Sequence, residues 1–153
     1  MSNEAPQTLR ALKPDDLERV VDIDSRITGR SRKKFFEKRL EAALANTGGF
    51  IAVATETGGS LTGYAIARLQ DGEFGMDHKI AVLDVIGVDP ETQKAGQGTI
   101  LLDGIVARAK KMGISEIRTQ INWLDRDLLQ FFSRHDFLLA PSRVLERTAS
   151  RGL

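Results

Sequence analysis

The strongest constraint on the fold is the pair of glycines in Gln93-Lys94-Ala95-Gly96-Gln97-Gly98, because of what flanks it. Ahead of it, Ile80 to Val88 is a near-continuous apolar run, the pattern of a central strand buried on both faces. Behind it, Leu101, Leu102, Ile105, Ala109 and Met112 recur at helical spacing until Gly113 stops them. Glycine at 96 and 98 lets the backbone approach a ligand closely, and the first amides of the helix that follows have no partner within it. The segment reads as an anion site, or as a tight strand-to-helix turn with no ligand at all. Hydrogen bonds to a charged acceptor contribute about 1.5–3 kcal/mol each, so three or four amides match the roughly 8 kcal/mol of a micromolar ligand before ordering costs. Two commoner phosphate loops are excluded: no Gly-Lys-Ser/Thr occurs, and three spaced glycines early in a βαβ unit are missing.

The rest of the chain supplies elements for one compact α+β (α/β) domain over residues 1–153, with an ordered core expected at about 7–148. Gln7 to Leu12 predicts a first strand, and Lys13-Pro14-Asp15-Asp16 a helix start, with Leu17, Val20, Val21 and Ile27 on its apolar face. A second helix is expected from Ser31, burying Phe36, Leu40, Ala43 and Leu44. Phe50 to Thr55 and Leu61 to Leu69 read as a hairpin around Gly58-Gly59, and the turn Asp71 to Gly75 leads into the run at Ile80. After the glycine helix, Ile114 to Ile121 predicts a strand. Leu124, Leu128, Phe131 and Phe132 predict a short helix, and Phe137 to Ala140 and Arg143 to Leu145 two closing strands around Pro141. The expected order is β-α-α-β-β-β-α-β-α-β-β.

Composition removes several chemistries. Without cysteine there is no disulfide, thiolate zinc site or Cys nucleophile. His78 and His135 lack metal-site spacing, so no metal is expected. Lys+Arg 22 against Asp+Glu 21 gives a net charge of +1 and no bulk reason to expect nucleic acid. No apolar run approaches the roughly 18 residues that cross a bilayer, and the start is polar rather than leader-like, so a cytoplasmic protein without membrane contact is expected.

With the flanking residues included, Val88-Asp89-Pro90-Glu91-Thr92-Gln93-Lys94-Ala95-Gly96-Gln97-Gly98 resembles the signature of the GNAT N-acetyltransferases: a (Gln/Arg)-x-x-Gly-x-(Gly/Ala) loop after a strand ending in Val-x-Pro. The order of elements is similar from about Leu9 to Arg147. The resemblance implies the GNAT fold, a central mixed, mostly antiparallel sheet with a splayed central strand. It also implies acetyl-CoA as the acyl donor and a small-molecule or protein amine as the acceptor. On this reading Gln93, Lys94, Ala95, Gly96, Gln97, Gly98 and Thr99 hold the pyrophosphate of coenzyme A. The pantetheine arm pairs with Ile86, Gly87 and Val88, and the Val88 amide polarises the thioester carbonyl. An amine with a pKa near 10 needs help in losing a proton. Asp84, which interrupts the apolar strand where relatives often carry an acid, is then that base, a hydrogen-bonded structural residue, or one facing solvent at a splayed edge.

The chain departs from the family pattern near its end. Where relatives often read Asn-x-x-Ala-x-x-x-Tyr-x-x-x-Gly-Phe, this sequence has Asp125, Leu128, Phe132, Asp136 and Phe137. Phe132 has no proton for the leaving thiolate, which leaves Tyr64, the only tyrosine, or solvent. A non-catalytic acyl-CoA sensor of the same fold is the alternative. Arg26, Arg30, Arg32, Lys33, Lys34, Lys38 and Arg39 stand against Glu37 alone, a positive patch that fits an acidic acceptor or a solvated helix face. The family places the loop between its first two helices beside the acceptor, which makes Thr28, Arg30 and Arg32 candidate acceptor-binding residues. Trp123 is either a wall of that pocket or core. Dimers are common in the family, so a second copy is among the expected partners.

Overall fold

The computed structural model describes residues 6–92 and 96–150. Contacts divide the chain into two units, Met1–Thr119 and Gln120–Leu153. The first opens with β1 (Gln7–Ala11), a 3-10 turn at Pro14–Asp16, and two helices, α1 (Leu17–Thr28) and α2 (Lys33–Ala45). The strands β2 (Phe50–Thr57), β3 (Ser60–Asp71) and β4 (Lys79–Val88) follow, then α3 (Gln97–Lys111) and β5 (Ile117–Thr119). The sheet runs β1-β2-β3-β4-β5, antiparallel throughout except for the parallel β4–β5 pair. A parallel pair needs a crossover, and α3 supplies it.

Local chemistry explains most of these elements. Gly58 and Gly59 form a two-residue hairpin loop with φ of 59° and 80°, the backbone twist that a tight hairpin demands. Burial on one face of α1 (Val20, Val21, Ile23) and of α2 (Phe36, Leu40, Ala43) sets these helices against β2, β3 and β4, around a core that includes Ala54, Leu61, Tyr64 and Ile66. On the other face, Leu101, Leu102 and Ile105 of α3 are fully covered, and α3 packs on β1 to β4. The result is a three-layer arrangement with the sheet between α1/α2 and α3.

The second unit contains α4 (Arg126–Arg134). Asp125 caps it by accepting from the Leu128 amide at 3.1 Å. At its other end Asp136 takes φ of 68° while the Phe137 amide donates to the Phe132 carbonyl at 3.1 Å, and the two phenylalanine rings lie 4.9 Å apart. This is a Schellman closure with its usual hydrophobic contact. The position is left-handed, a conformation that favours glycine, and Asp is one of the few other residues that tolerates it.

Three expectations are corrected. The closing strands at Phe137 to Ala140 and Arg143 to Leu145 do not form: among the described residues no strand follows α4, and Leu138, Leu139, Val144 and Leu145 are exposed. The chain is turned back at Asp136 to close α4, so the apolar run beyond it finds no ladder. The strand expected over Ile114 to Ile121 shortens to Ile117–Thr119, because only those residues pair with β4. Ile27 and Leu124 are exposed rather than apolar-face residues, Ile27 in the last turn of α1 and Leu124 before α4 begins.

Candidate active site

The β4 strand organises the candidate site. Its ladder with β5 covers only Ala81 to Leu83, and the Thr119 hydroxyl closes it by donating to the Leu83 carbonyl at 2.9 Å. Beyond Leu83, no described strand pairs with β4 on that side. On the other side, the Asp89 amide donates to the Thr62 carbonyl at 2.8 Å, so Asp89 belongs to a hydrogen-bonded pair with β3. Backbone groups of an antiparallel strand alternate in direction, which turns those of Val88 and Ile86 away from β3 and towards the open edge. Two strand residues predicted for a cofactor arm thus present peptide groups outward. Gly87 faces Tyr64, and a Cβ there would lie 2.5 Å from the tyrosine ring, so the ring packs directly on the β4 backbone.

The turn after β4 is built on Asp89, which is buried. Its carboxylate accepts from the Glu91 amide at 3.0 Å and from Arg19, with Arg26 at 3.8 Å. Burial alone pushes this carboxyl up, but the Glu91 amide and the Arg19 guanidinium outweigh it and hold it below the usual carboxylate range. Thr92 then links the turn to α3, donating to Gln97 Oε1 at 2.9 Å, and Gln97 is buried. Gly96 caps α3 with φ of 74°, in open space, so the helix begins immediately after a left-handed residue. The first amides of α3, at Gln97 and Gly98, fall outside the helix's own ladder, and Thr99 follows on the same opening turn. Gln93, Lys94 and Ala95 lie outside the described residues. The residues that are described form a cradle suited to a phosphate-bearing group at α3 and an extended arm along β4.

A β-bulge sits at Asp84. Ile66 pairs with Val85 and Ala67 with Leu83, so Asp84 is the extra residue of β4. The bulge turns its carboxylate onto the α1/α2 face, where Arg68 Nε donates to Oδ1 at 3.1 Å. Arg39 of α2 approaches Oδ2 at 3.4 Å, a charge contact without hydrogen-bond geometry, and Oδ2 is buried with no hydrogen bond. Nearer the end of β4, Asp24 of α1 is held by Arg32, Nε at 2.9 Å and Nη2 at 2.6 Å, and lies 3.4 Å from the Tyr64 hydroxyl. Burial, then the charge of Asp24, push the Tyr64 phenol well above its ordinary range. Phe35 connects the two carboxylate clusters, with the Arg32 and Arg39 guanidiniums at 5.3 and 5.4 Å from its ring centre.

Sequence reasoning named Asp84, Tyr64 and Arg32 as candidates but did not foresee Asp24, Arg39 and Arg68 as the groups they contact. Asp24 had one usable signal: it stands four residues after Val20, on the buried face of α1. Thr28 and Arg30 belong to the helix end, the Thr28 hydroxyl donating to the Asp24 carbonyl at 2.9 Å while Arg30 is exposed. Trp123 is 88% exposed, which removes its reading as core. Phe132 is buried against Phe131 and Phe137 and offers no proton. Among the described residues no His, Asp and Glu cluster is arranged to hold a metal, and no helix is long and apolar enough to cross a membrane.

The structure defines an α+β fold in which a half-paired central strand runs into a glycine-opened helix, and comparison with known proteins makes its class specific. The chain belongs to the acetyltransferase (GNAT) family, whose model matches residues 17–137. No curated protein sequence matches it. Among solved structures it is similar to a transcriptional regulator from Bacillus halodurans C-125, with TM-score 0.78 and 17% identity over 94% of this chain and 99% of that one. It is similar, at 15% identity and TM-score 0.77 over 97% of both chains, to the aminoglycoside N-acetyltransferase AAC(6')-Iy in complex with CoA. A ribosomal-protein-alanine N-acetyltransferase from Brucella melitensis biovar Abortus 2308 shares 15% identity at TM-score 0.75, over 94% of this chain and 100% of that one. At such identities the likeness concerns the fold.

Proposed function

We propose that the protein is an acetyl-CoA-dependent N-acetyltransferase that passes the acetyl group directly to a primary amine in a ternary complex. The observation that carries this reading is the open edge of β4: Ile86 and Val88 turn their peptide groups outward just ahead of the Gly96 cap of α3. In this reading Gly96, Gln97, Gly98 and Thr99, with Gln93 to Ala95, hold the pyrophosphate, and Ile86 to Val88 hold the pantetheine arm as an added strand. Bound acetyl-CoA supplies an acyl group on a thioester. The Val88 amide then serves as the hydrogen-bond donor to the reacting carbonyl, fixed in place by the β3 ladder. Asp84 Oδ2, buried and without a hydrogen bond, is the group to take a proton from the incoming amine, directly or through water.

Neighbours of the same fold are named for acceptors as different as an aminoglycoside and a ribosomal-protein alanine, so the fold does not choose the amine. A specific observation favours a second reading, an acyl-CoA-binding module without transfer activity. Phe132 has no proton to give, and the Tyr64 phenol is enclosed beside Asp24, which makes it a poor acid for a thiolate. A coenzyme A thiol with a pKa near 8.5 leaves tolerably without an acid, so we retain the transferase as the conclusion. The deciding experiment follows free thiol released from acetyl-CoA against amines, polyamines, amino acids and N-terminal peptides. Release with at least one acceptor is expected; tight acetyl-CoA binding with no release across the panel would leave the second reading.

A further inference from the structure

The α1/α2 face contains two kinds of arginine. Arg32 spends both Nε and Nη2 on the two oxygens of Asp24, a closed pair in which donor and acceptor geometry match. Arg39 and Arg68 share one carboxylate instead. Asp84 is 15% exposed, whereas the guanidinium-bearing side chains above it are 29% and 39% exposed. Arg68 uses only Nε on Asp84, and Arg39 touches it without a hydrogen bond, so each planar fork keeps N–H donors for a further acceptor. Arg39 is also fixed laterally by the Phe35 ring at 5.4 Å. Lys34 and Lys38 of α2 and Arg30 ahead of it are exposed and form no ion pair among the described residues. Over Asp84 itself two guanidiniums face one carboxylate, on the sheet face shared with Tyr64 and Gly87.

We propose that Arg39 and Arg68 form a carboxylate-binding subsite, so that the acceptor is an amine carrying a carboxylate, as in a peptide with an acidic residue next to its N-terminus. The assignment rests on the transferase reading for calling this molecule the acceptor. The chemistry is specific: two guanidinium forks with spare donors suit a planar carboxylate, and the same field disfavours polycationic amines. Asp84 holds the two forks side by side and keeps their mutual repulsion from driving them apart.

Calorimetric titration of the coenzyme A-loaded protein with Ala-Asp-amide, Ala-Asn-amide and Ala-Lys-amide tests this directly. The acidic peptide is expected to bind about tenfold more tightly than its asparagine analogue, with the lysine peptide weakest, and the preference should shrink between about 0.05 and 0.5 M salt. Arg68→Gln and Arg39→Gln should each reduce the preference, and Arg68→Lys should preserve part of it by keeping the charge; circular dichroism melting confirms that the variants are folded. Equal affinities for the three peptides, a preference for lysine, or a preference that survives in the doubly substituted protein would overturn the subsite. Thiol release from acetyl-CoA in parallel samples separates the two ideas. Acid-selective binding with no release from these peptides or from the amine panel leaves the subsite standing and removes the transferase, while release that ignores the peptide's charge does the reverse.

Discussion

The two halves of the candidate site are made of different material. The half proposed for the cofactor, from Ile86 through Gly96 to the start of α3, is almost entirely backbone: outward peptide groups, a left-handed glycine and a helix terminus. The half proposed for the acceptor is side chains: Asp24 with Arg32 and Tyr64, and Asp84 with Arg39 and Arg68, supplied by α1, α2, β3 and β4. Backbone sites require particular conformations, which glycine and proline announce locally. Side-chain sites require elements far apart in sequence to meet, as Asp24 and Tyr64 do across 40 residues. The first kind tolerates change in what decorates it; the second can be retuned to a new acceptor while the fold stays.

The sharpest break between the halves comes from Gly98→Glu. A bulky anion at the opening of α3 should abolish acetyl-CoA binding in calorimetry while the melting temperature changes little. Retained affinity would refute the backbone half. Next in size is Asp24→Ala on the other side. It removes a buried carboxylate that accepts two charge-assisted hydrogen bonds from Arg32 and should cost about 3 kcal/mol in urea denaturation, the partly exposed guanidinium returning to water. A loss under about 1 kcal/mol would mean that the pair contributes little to the fold.

Asp84→Asn should lower turnover about 100-fold with acetyl-CoA affinity intact, if its open oxygen takes the proton. Unchanged turnover would assign Asp84 to positioning Arg39 and Arg68 alone. Asp89 gives a smaller, pH-dependent effect. Its carboxyl is held below the range it has in the unfolded chain, so its contribution is complete above about pH 4 and is lost as the pH falls through the folded value. Asp89→Asn should remove about 1.5–3 kcal/mol at neutral pH and flatten the acid limb of the stability curve, measured by urea titration at several pH values. Smallest is Asp136→Gly at the end of α4, which relieves a left-handed residue and should raise stability by up to about 1 kcal/mol, leaving both halves of the site unaltered.

Legibility followed the range of the interactions. The Gly58-Gly59 hairpin, the buried faces of α1 and α2, and the strand-loop-helix unit around Gly96 were readable because each is decided within a few residues. The closing strands were misread because an apolar run such as Phe137 to Ala140 signals strand only where a ladder is available, and the Asp136 turn uses Phe137 to close α4. Asp84 was recognised as anomalous in an apolar strand, but not as a bulge, since the extra residue exists only relative to the register of β3.

By itself, then, the sequence determined most of the elements, the glycine-opened turn from β4 into α3 and the family resemblance, all carried by local backbone preferences and apolar period. Tertiary structure alone decided that Asp84 turns onto the α1/α2 face, that Arg39 and Arg68 converge on it, and that Asp24 encloses Tyr64. Those facts depend on strand register and helix docking, in which each side chain's neighbours come from distant parts of the chain.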